Sequence, residues 1–297
     1  MKKIILFMLL LIFAVQPFYV NATTMEEPIT YTINELDYFL MLRNTSDEDL
    51  LKNGLTTEQI EYIRQFDLVE EVKNRAELSS PQLKSMGYST SDISDIKEFA
   101  QIDNVTEEQV INSLSFATVT FTLNKPTTTT SFYIYNFSFV WSKCPIFIQQ
   151  DLIAATWAAT GSNGSPVNVA INKPNSYLIT TSATTGGAPA IPNETYYWRI
   201  NHEYSSANLK FSMGYNLGSG MSYWTKSGNG QLRMDAVVVG TIYEMYIKLG
   251  YGHSVITGTP TVSFSGSGPS IGFKFGATTN TESTISRRYR HNGVQVS

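Results

Sequence analysis

From about residue 116 to the end of the chain, apolar side chains fall at every second position, and no other feature limits the fold so tightly. Ala117, Val119, Phe121 and Leu123 alternate with Thr118, Thr120 and Thr122. Tyr133, Tyr135, Phe137, Phe139 and Trp141 share one face of the next run. The pattern returns at 196–202, 209–217, 232–238, 243–249, 262–264 and 271–275. A period of two belongs to a strand with one face on a core and the other toward water. Strands of this kind pair antiparallel, and roughly eight to eleven of them predict a β-sandwich or a barrel-like closed sheet.

Turn chemistry separates the runs, at Gly161-Ser162-Asn163-Gly164, Gly186-Gly187, Gly228-Asn229-Gly230 and Gly266-Ser267-Gly268-Pro269. Gly240 is expected to mark a bulge or corner. The KPTTTTS stretch at 125–131 reads as an extended connector or edge. Residues 151–159, DLIAATWAA, are apolar on both faces, which suits either a buried central strand or a short helix.

The preceding part of the chain differs in composition and sign. Residues 23–117 hold 19 carboxylates against 7 Lys/Arg, a net of −12, whereas 118–297 hold 6 against 12, a net of +6. Within the acidic part, 50–66 (LLKNGLTTEQIEYIRQF) and 83–99 (LKSMGYSTSDISDIKEF) correspond at an offset of 33 residues. Leu50/Leu83, Gly54/Gly87, Thr57/Thr90, Ile60/Ile93, Ile63/Ile96 and Phe66/Phe99 coincide. Gly ends one short helix, Thr56 or Ser89 caps the next, and Ile, Ile and Phe at a spacing of three form its apolar stripe. The Met86-Gly87-Tyr88 turn is similar to the Met-Gly-Phe/Tyr loop of ubiquitin-associated three-helix domains. That likeness implies the same helix–turn–helix corner and no kinship. Residues 34–42 and 106–114 are expected to flank the bundle.

The expected fold is therefore α+β in two parts: a small N-terminal helical bundle with a 33-residue repeat, then an antiparallel β-sandwich or barrel-like domain. The expected boundaries are a signal peptide at 1–22, an acidic helical domain at 23–117, a linker or first-strand region at 118–130, and a β-rich domain at 131–297. Met1-Lys2-Lys3 supplies a positive start, 4–15 an apolar run, and Val20-Asn21-Ala22 the small residues of a cleavage site. This pattern predicts export in the bacterial manner and a mature chain of 19 basic and 25 acidic residues, net −6.

Catalytic signatures are sparse. Cys144, the single cysteine, excludes an internal disulfide, and no Cys/His spacing resembles a metal site. The nucleophile elbow, Walker loop and dinucleotide fingerprint are absent, and no cofactor is implied. Ser94-Asp95-Ile96-Lys97 fits S-x-x-K without its companion motifs. The overall charge of −4 excludes a globally basic nucleic-acid binder. Glu203, Asp235 and His253 are the residues an undetected hydrolase would use, and His202-Glu203 point to opposite strand faces.

Binding chemistry is better represented. Seven Tyr and Trp lie within 196–224; Tyr196, Trp198 and Tyr215 are expected in the core, and Tyr197, Tyr223 and Trp224 at the surface. Arg287, Arg288 and Arg290 form a basic tail suited to anionic polymer, anionic lipid or the acidic domain. The leading expectation is a secreted binding protein whose basic, aromatic β domain engages a cell-surface polysaccharide, wall polymer or lipid. The alternatives are a membrane-active β protein masked by its acidic helical domain, and an extracellular hydrolase without a legible motif.

Overall fold

A computed structural model describes residues 27–296, apart from 53, 185–192, 202–204, 218–220, 257–260, 265–270, 276–277 and 281–283. The expected leader, His202, Glu203, Tyr204 and the glycine turns at 186–187 and 266–269 lie outside the described residues, as does the side chain of Tyr215.

The strands begin with β1 (Ile29–Asn34), β2 (Thr118–Leu123), β3 (Thr127–Thr128), β4 (Phe132–Trp141), β5 (Gln150–Thr160), β6 (Pro166–Val167), β7 (Val169–Ile171) and β8 (Tyr177–Thr184). They continue with β9 (Glu194–Tyr197), β10 (Arg199–Asn201), β11 (Ser206–Ser212), β12 (Gly214–Leu217), β13 (Met221–Ala236) and β14 (Glu244–Gly252). The last are β15 (Thr261–Phe264), β16 (Ile271–Phe275), β17 (Thr278–Asn280), β18 (Thr284–Arg290) and β19 (Gln295–Val296). Between β1 and β2 lie α1 (Glu35–Asn44), α2 (Asp47–Lys52), α3 (Thr57–Gln65), α4 (Leu68–Glu77), α5 (Ser80–Ser85), α6 (Thr90–Phe99) and α7 (Glu107–Ser113). The fold is α+β.

Two antiparallel sheets face each other. One runs β1-β2-β4-β13-β8-β9 and the other β10-β11-β5-β14-β18-β19. Their inner faces meet through rings, with Phe139 5.1 Å from both Phe211 and Tyr251, and Tyr135 6.4 Å from Tyr289. This is a sandwich. The alternation of the sequence becomes its layering: β2 and β4 bury Val119, Phe121, Tyr135, Phe137 and Phe139 while Thr120 and Ser138 look outward.

Residues 151–159 form the central strand β5, flanked by β11 and β14. Both faces are apolar because both are covered. Ile153, Ala155 and Trp157 enter the sandwich core, whereas Leu152 and Ala154 meet the helices through Phe39, Leu42 and Ile63.

The helices start where polar residues satisfy the free N–H groups of a first turn. Thr56 with Gln59, Ser79 with Gln82, Ser89 with Asp92, and Thr106 with Gln109 all form reciprocal capping boxes. Gly54 and Gly87 turn the chain with φ of 83° and 89°. The two corners share this local form, yet matched residues have different surroundings. Leu50, Ile60 and Ile63 join Phe147 and Leu152, while Leu83, Met86 and Ile96 join the sandwich core. The correspondence at 33 residues is thus one of corners and not of stacked units.

Three expectations are corrected. Ile29–Asn34, within the stretch read as helical, is a strand running antiparallel to β2 from Ile29↔Leu123 to Asn34↔Thr118. Gly228-Asn229-Gly230 is no turn but the middle of β13, where Gly228 faces Phe139 and Gly230 faces Phe137 on β4. A Cβ at Gly230 would lie 2.1 Å from the Phe137 ring and one at Gly228 2.3 Å from Phe139, so glycine admits the rings. Finally, β13 ends at Ala236, and Val238 belongs to the following loop.

Candidate functional site

Buried ionisable groups concentrate where the helices meet the sandwich. Glu35 opens α1 directly after β1 and is 1% exposed. Its carboxylate accepts the Ala117 N–H at 3.0 Å and the Ile146 and Phe147 N–H groups at 2.5 and 3.4 Å. Burial pushes its pKa up, against the downward pull of His253, Arg75 and those donors. Arg75 of α4 donates to the carbonyls of Cys144 at 3.2 Å and Pro145 at 2.9 Å, to Glu71 at 2.9 Å, and to the Tyr88 hydroxyl. Lys143 meets Asp92 of α6 at 2.9 Å. The segment around Cys144 is therefore clasped by helical side chains.

Cys144 itself is fully buried, and burial pushes its thiol up to about 12 despite nearby Arg75. A neutral, enclosed thiol is no nucleophile.

Asp151 and His253 form the second buried group. His253 Nδ1 lies 2.8 Å from Asp151 Oδ1, and Asp151 Oδ2 accepts the Tyr251 hydroxyl, which accepts from Trp141 Nε1 at 3.1 Å. Burial opposes protonation of His253, but Asp151 outweighs it and the net pKa is raised. His253 is 4% exposed and Asp151 0%, so the pair has acid–base geometry without an opening to a substrate. Asp235 is elsewhere, held at 2.7 Å by both Arg233 Nε and Asn172 Nδ2. A cleft of about 600 Å³ is lined by Trp157, Ile171, Pro174 and Ile200, with Asn172, Lys173 and Ser205 as its polar edge. Neither Asp235 nor His253 lines it.

Accessible chemistry gathers at one end of the sandwich. The loop from β13 to β14 crosses between the sheets and exposes Val237 by 65%, Val238 by 64% and Val239 by 80%. Its backbone is fixed. Val237 N–H donates to Asn168 O at 3.0 Å, Gly240 N–H to Ser131 Oγ at 3.2 Å, and Ile242 N–H to Thr130 O at 2.9 Å. Gly240 makes the corner at φ 80°, a left-handed conformation that favours glycine. Tyr243 then holds the C-terminal turn, with His291 N–H donating to Tyr243 O at 2.9 Å, and the turn is closed on itself by Arg290 N–H donating to Val294 O at 2.9 Å.

That turn ends β18, whose pairing with β14 sets the arginines. Arg288 and Arg290 are exposed on one face and Tyr289 is buried on the other. One carboxylate serves both cations, with Glu244 3.4 Å from Arg288 and 4.0 Å from Arg290. The Arg290 guanidinium also lies over Tyr243 at 5.9 Å. This end thus carries an apolar loop, exposed Val294, and two arginines sharing one counter-charge.

The residues proposed from sequence divide accordingly. Tyr197 is 63% exposed, as expected of a surface aromatic. Tyr223 and Trp224 are corrected: they are 5% and 0% exposed, Trp224 within the sandwich core and Tyr223 covered on the opposite face of β13, so neither can offer a ring face to a ligand. Arg287 is also corrected, because alternation places it on the side of Ile285 and Tyr289, with its Nε buried. Arg288 and Arg290 remain together. The valines escaped the sequence reading, although three consecutive apolar residues before a glycine cannot alternate, and that was the available signal. Among the described residues no cluster of His, Cys, Asp or Glu is arranged to hold a metal ion.

No family model matches the chain, and no curated protein matches it. Among solved structures, AvmM, described as catalysing macrocyclization in alchivemycin A biosynthesis, is similar over 58% of this chain and 86% of its own. Identity is 9% and the TM-score 0.25, a likeness that carries no argument about fold or chemistry.

Proposed function

We propose that this chain is an exported binding protein that engages an anionic cell-surface ligand through the end of its sandwich bearing Arg288 and Arg290. The observation that carries the reading is the pairing of these two exposed guanidiniums with a single carboxylate, Glu244. Two cations against one anion leave local positive charge on a rigid strand, which is the electrostatic footprint of an anion-binding surface. Its setting within a β half of net +6 supports the same reading.

Membrane contact is favoured as the second reading by the exposed valine loop. Masking by the helices is not part of it, since the helical cluster packs on Phe147, Leu152, Val255 and Ile256 while residues 237–239 are open. The hydrolase reading has no supporting observation: Asp235 is engaged by Arg233 and Asn172, His253 is sealed, and Glu203 lies outside the described residues.

The test is pull-down of the purified chain on cell envelopes at low and high salt. Wild type is expected to bind saturably at low salt and release at high salt. The R288Q/R290Q variant is expected to lose most of that binding while melting as wild type does. Undiminished binding by this variant would reject the assignment.

A further inference from the structure

We infer that residues 237–239 form a membrane-docking loop, whose three valines enter the interfacial region of an anionic lipid bilayer beside Arg288 and Arg290. The inference rests on the proposed anion-binding reading and names its ligand as a lipid surface.

Single exposed apolar side chains are ordinary on a soluble protein and need no explanation. Three in succession at one tip are different. Val237, Val238 and Val239 are each more than three-fifths exposed, and no other run of consecutive large exposed apolar residues occurs among the described residues. The loop is held from below by Asn168, Ser131 and Thr130, so the valines are presented by a fixed backbone. A prearranged tip loses little conformational freedom on docking. The carboxylates nearest in sequence, Asp235 and Glu244, flank the loop and are each engaged by arginine. No acidic residue lies within 236–243 to oppose an anionic surface.

Charge selects the occupant. A second protein's apolar groove would cover the valines but gives the paired arginines no role. A soluble polyanion would use the arginines but leaves the valines in water. An anionic bilayer uses both: its acyl boundary takes the side chains and its phosphates take the guanidiniums. The geometry is that of a peripheral contact by a loop.

The full chain would be mixed with vesicles of pure phosphatidylcholine and with vesicles of equimolar phosphatidylcholine and phosphatidylglycerol, and co-sedimentation measured. Binding is expected on the mixed vesicles and is expected to be weak on the neutral ones. The V237S/V238S/V239S variant, changed only at exposed loop positions, is expected to bind at least about tenfold more weakly with an unchanged melting temperature. A V238C variant labelled with a solvatochromic dye supplies the second readout, because Cys144 is fully buried and escapes the label. Its emission is expected to shift to the blue on mixed vesicles.

Equal vesicle binding by the serine variant, or a dye insensitive to vesicles, would overturn the inference. So would envelope binding that depends on Arg288 and Arg290 without vesicle binding, which would leave the anion-binding reading standing with a polymer as ligand. Concentration-dependent dimerisation abolished by the serine changes would overturn it in favour of a second copy of this chain. Loss of envelope binding in neither variant would end both readings together.

Discussion

Gly230 shows how much a single side chain position can decide. Its partner across the sheet is Phe137, and the missing Cβ is what lets that ring lie over the strand. Gly230→Ala would force the ring or the backbone to shift, and it is expected to destabilise by about 1–3 kcal/mol, read from denaturant midpoints. Gly228→Ala, against Phe139, should behave alike. The Gly-Asn-Gly string reads as a turn in sequence because glycine's freedom and glycine's smallness look the same in one dimension. Only the opposed phenylalanines reveal that the second property is in use here.

The buried ionisable residues set a pH dependence of definite sign. Glu35 and His253 both have folded-state pKa values above their ordinary 4.5 and 6.5. Such groups give stability that is complete below the unfolded value and lost as pH rises through the folded one. Asp92 is opposite: burial alone would raise it, but hydrogen bonds from Ser115, Lys143 and Ser89 outweigh that and hold it below 3.8. Its contribution is present above the unfolded value and disappears as pH falls through the lowered one. The melting temperature is therefore expected to be highest at about pH 4 to 4.5, above the ordinary value of Asp92 and below that of Glu35, and to decline toward alkaline pH as the raised values of Glu35 and His253 are passed. A melting temperature that climbs from pH 6.5 to 9 would contradict this. Glu35→Gln is expected to cost about 1–3 kcal/mol, because an amide turns a donor toward N–H groups that need an acceptor.

At the scale of elements, the strands were the most legible part of the chain, since burial on one face writes itself directly into a period of two. The helix starts at Thr56, Ser79, Ser89 and Thr106 were equally open to reading where Gln or Asp stands three residues on. Strand β1 was harder. Ile29, Tyr31 and Ile33 do alternate with Thr30 and Thr32, but the partner, β2, lies about ninety residues later, and sequence proximity pointed to the helices. The candidate site was legible in part. Arg288 and Arg290 were visible as charge, while the inward turn of Arg287 follows only from the pairing of β18 with β14. Tyr223 and Trp224 were misplaced because adjacent aromatics on one strand cannot show which neighbours cover each face. On β18, Arg287→Leu is expected to keep surface binding and Arg288→Leu to reduce it, measured by envelope pull-down.

Over the whole molecule, composition suggested two bodies of opposite sign, and packing joins them. Sandwich residues Phe147, Leu152, Ala154, Val255 and Ile256 share a cluster with Phe39, Leu42 and Ile63, and β1 lies along β2 as an edge of the sheet. The chain is expected to unfold in a single transition, with near- and far-ultraviolet circular dichroism coinciding. A chain starting at residue 118 would expose the β2 edge and the Phe147 cluster, and is expected to aggregate. Two separated transitions would show that the helical and β parts are independent.

The central claim is that Arg288 and Arg290 bind an anionic surface with Glu244 as their shared restraint, and opposite substitutions test it most directly. Salt-dependent affinity for cell envelopes should be measured for wild type, E244Q and R288Q/R290Q. The account expects E244Q to bind more tightly than wild type and R288Q/R290Q more weakly, with the differences collapsing at high salt. Equal affinities, or both variants shifted in the same direction, would contradict it.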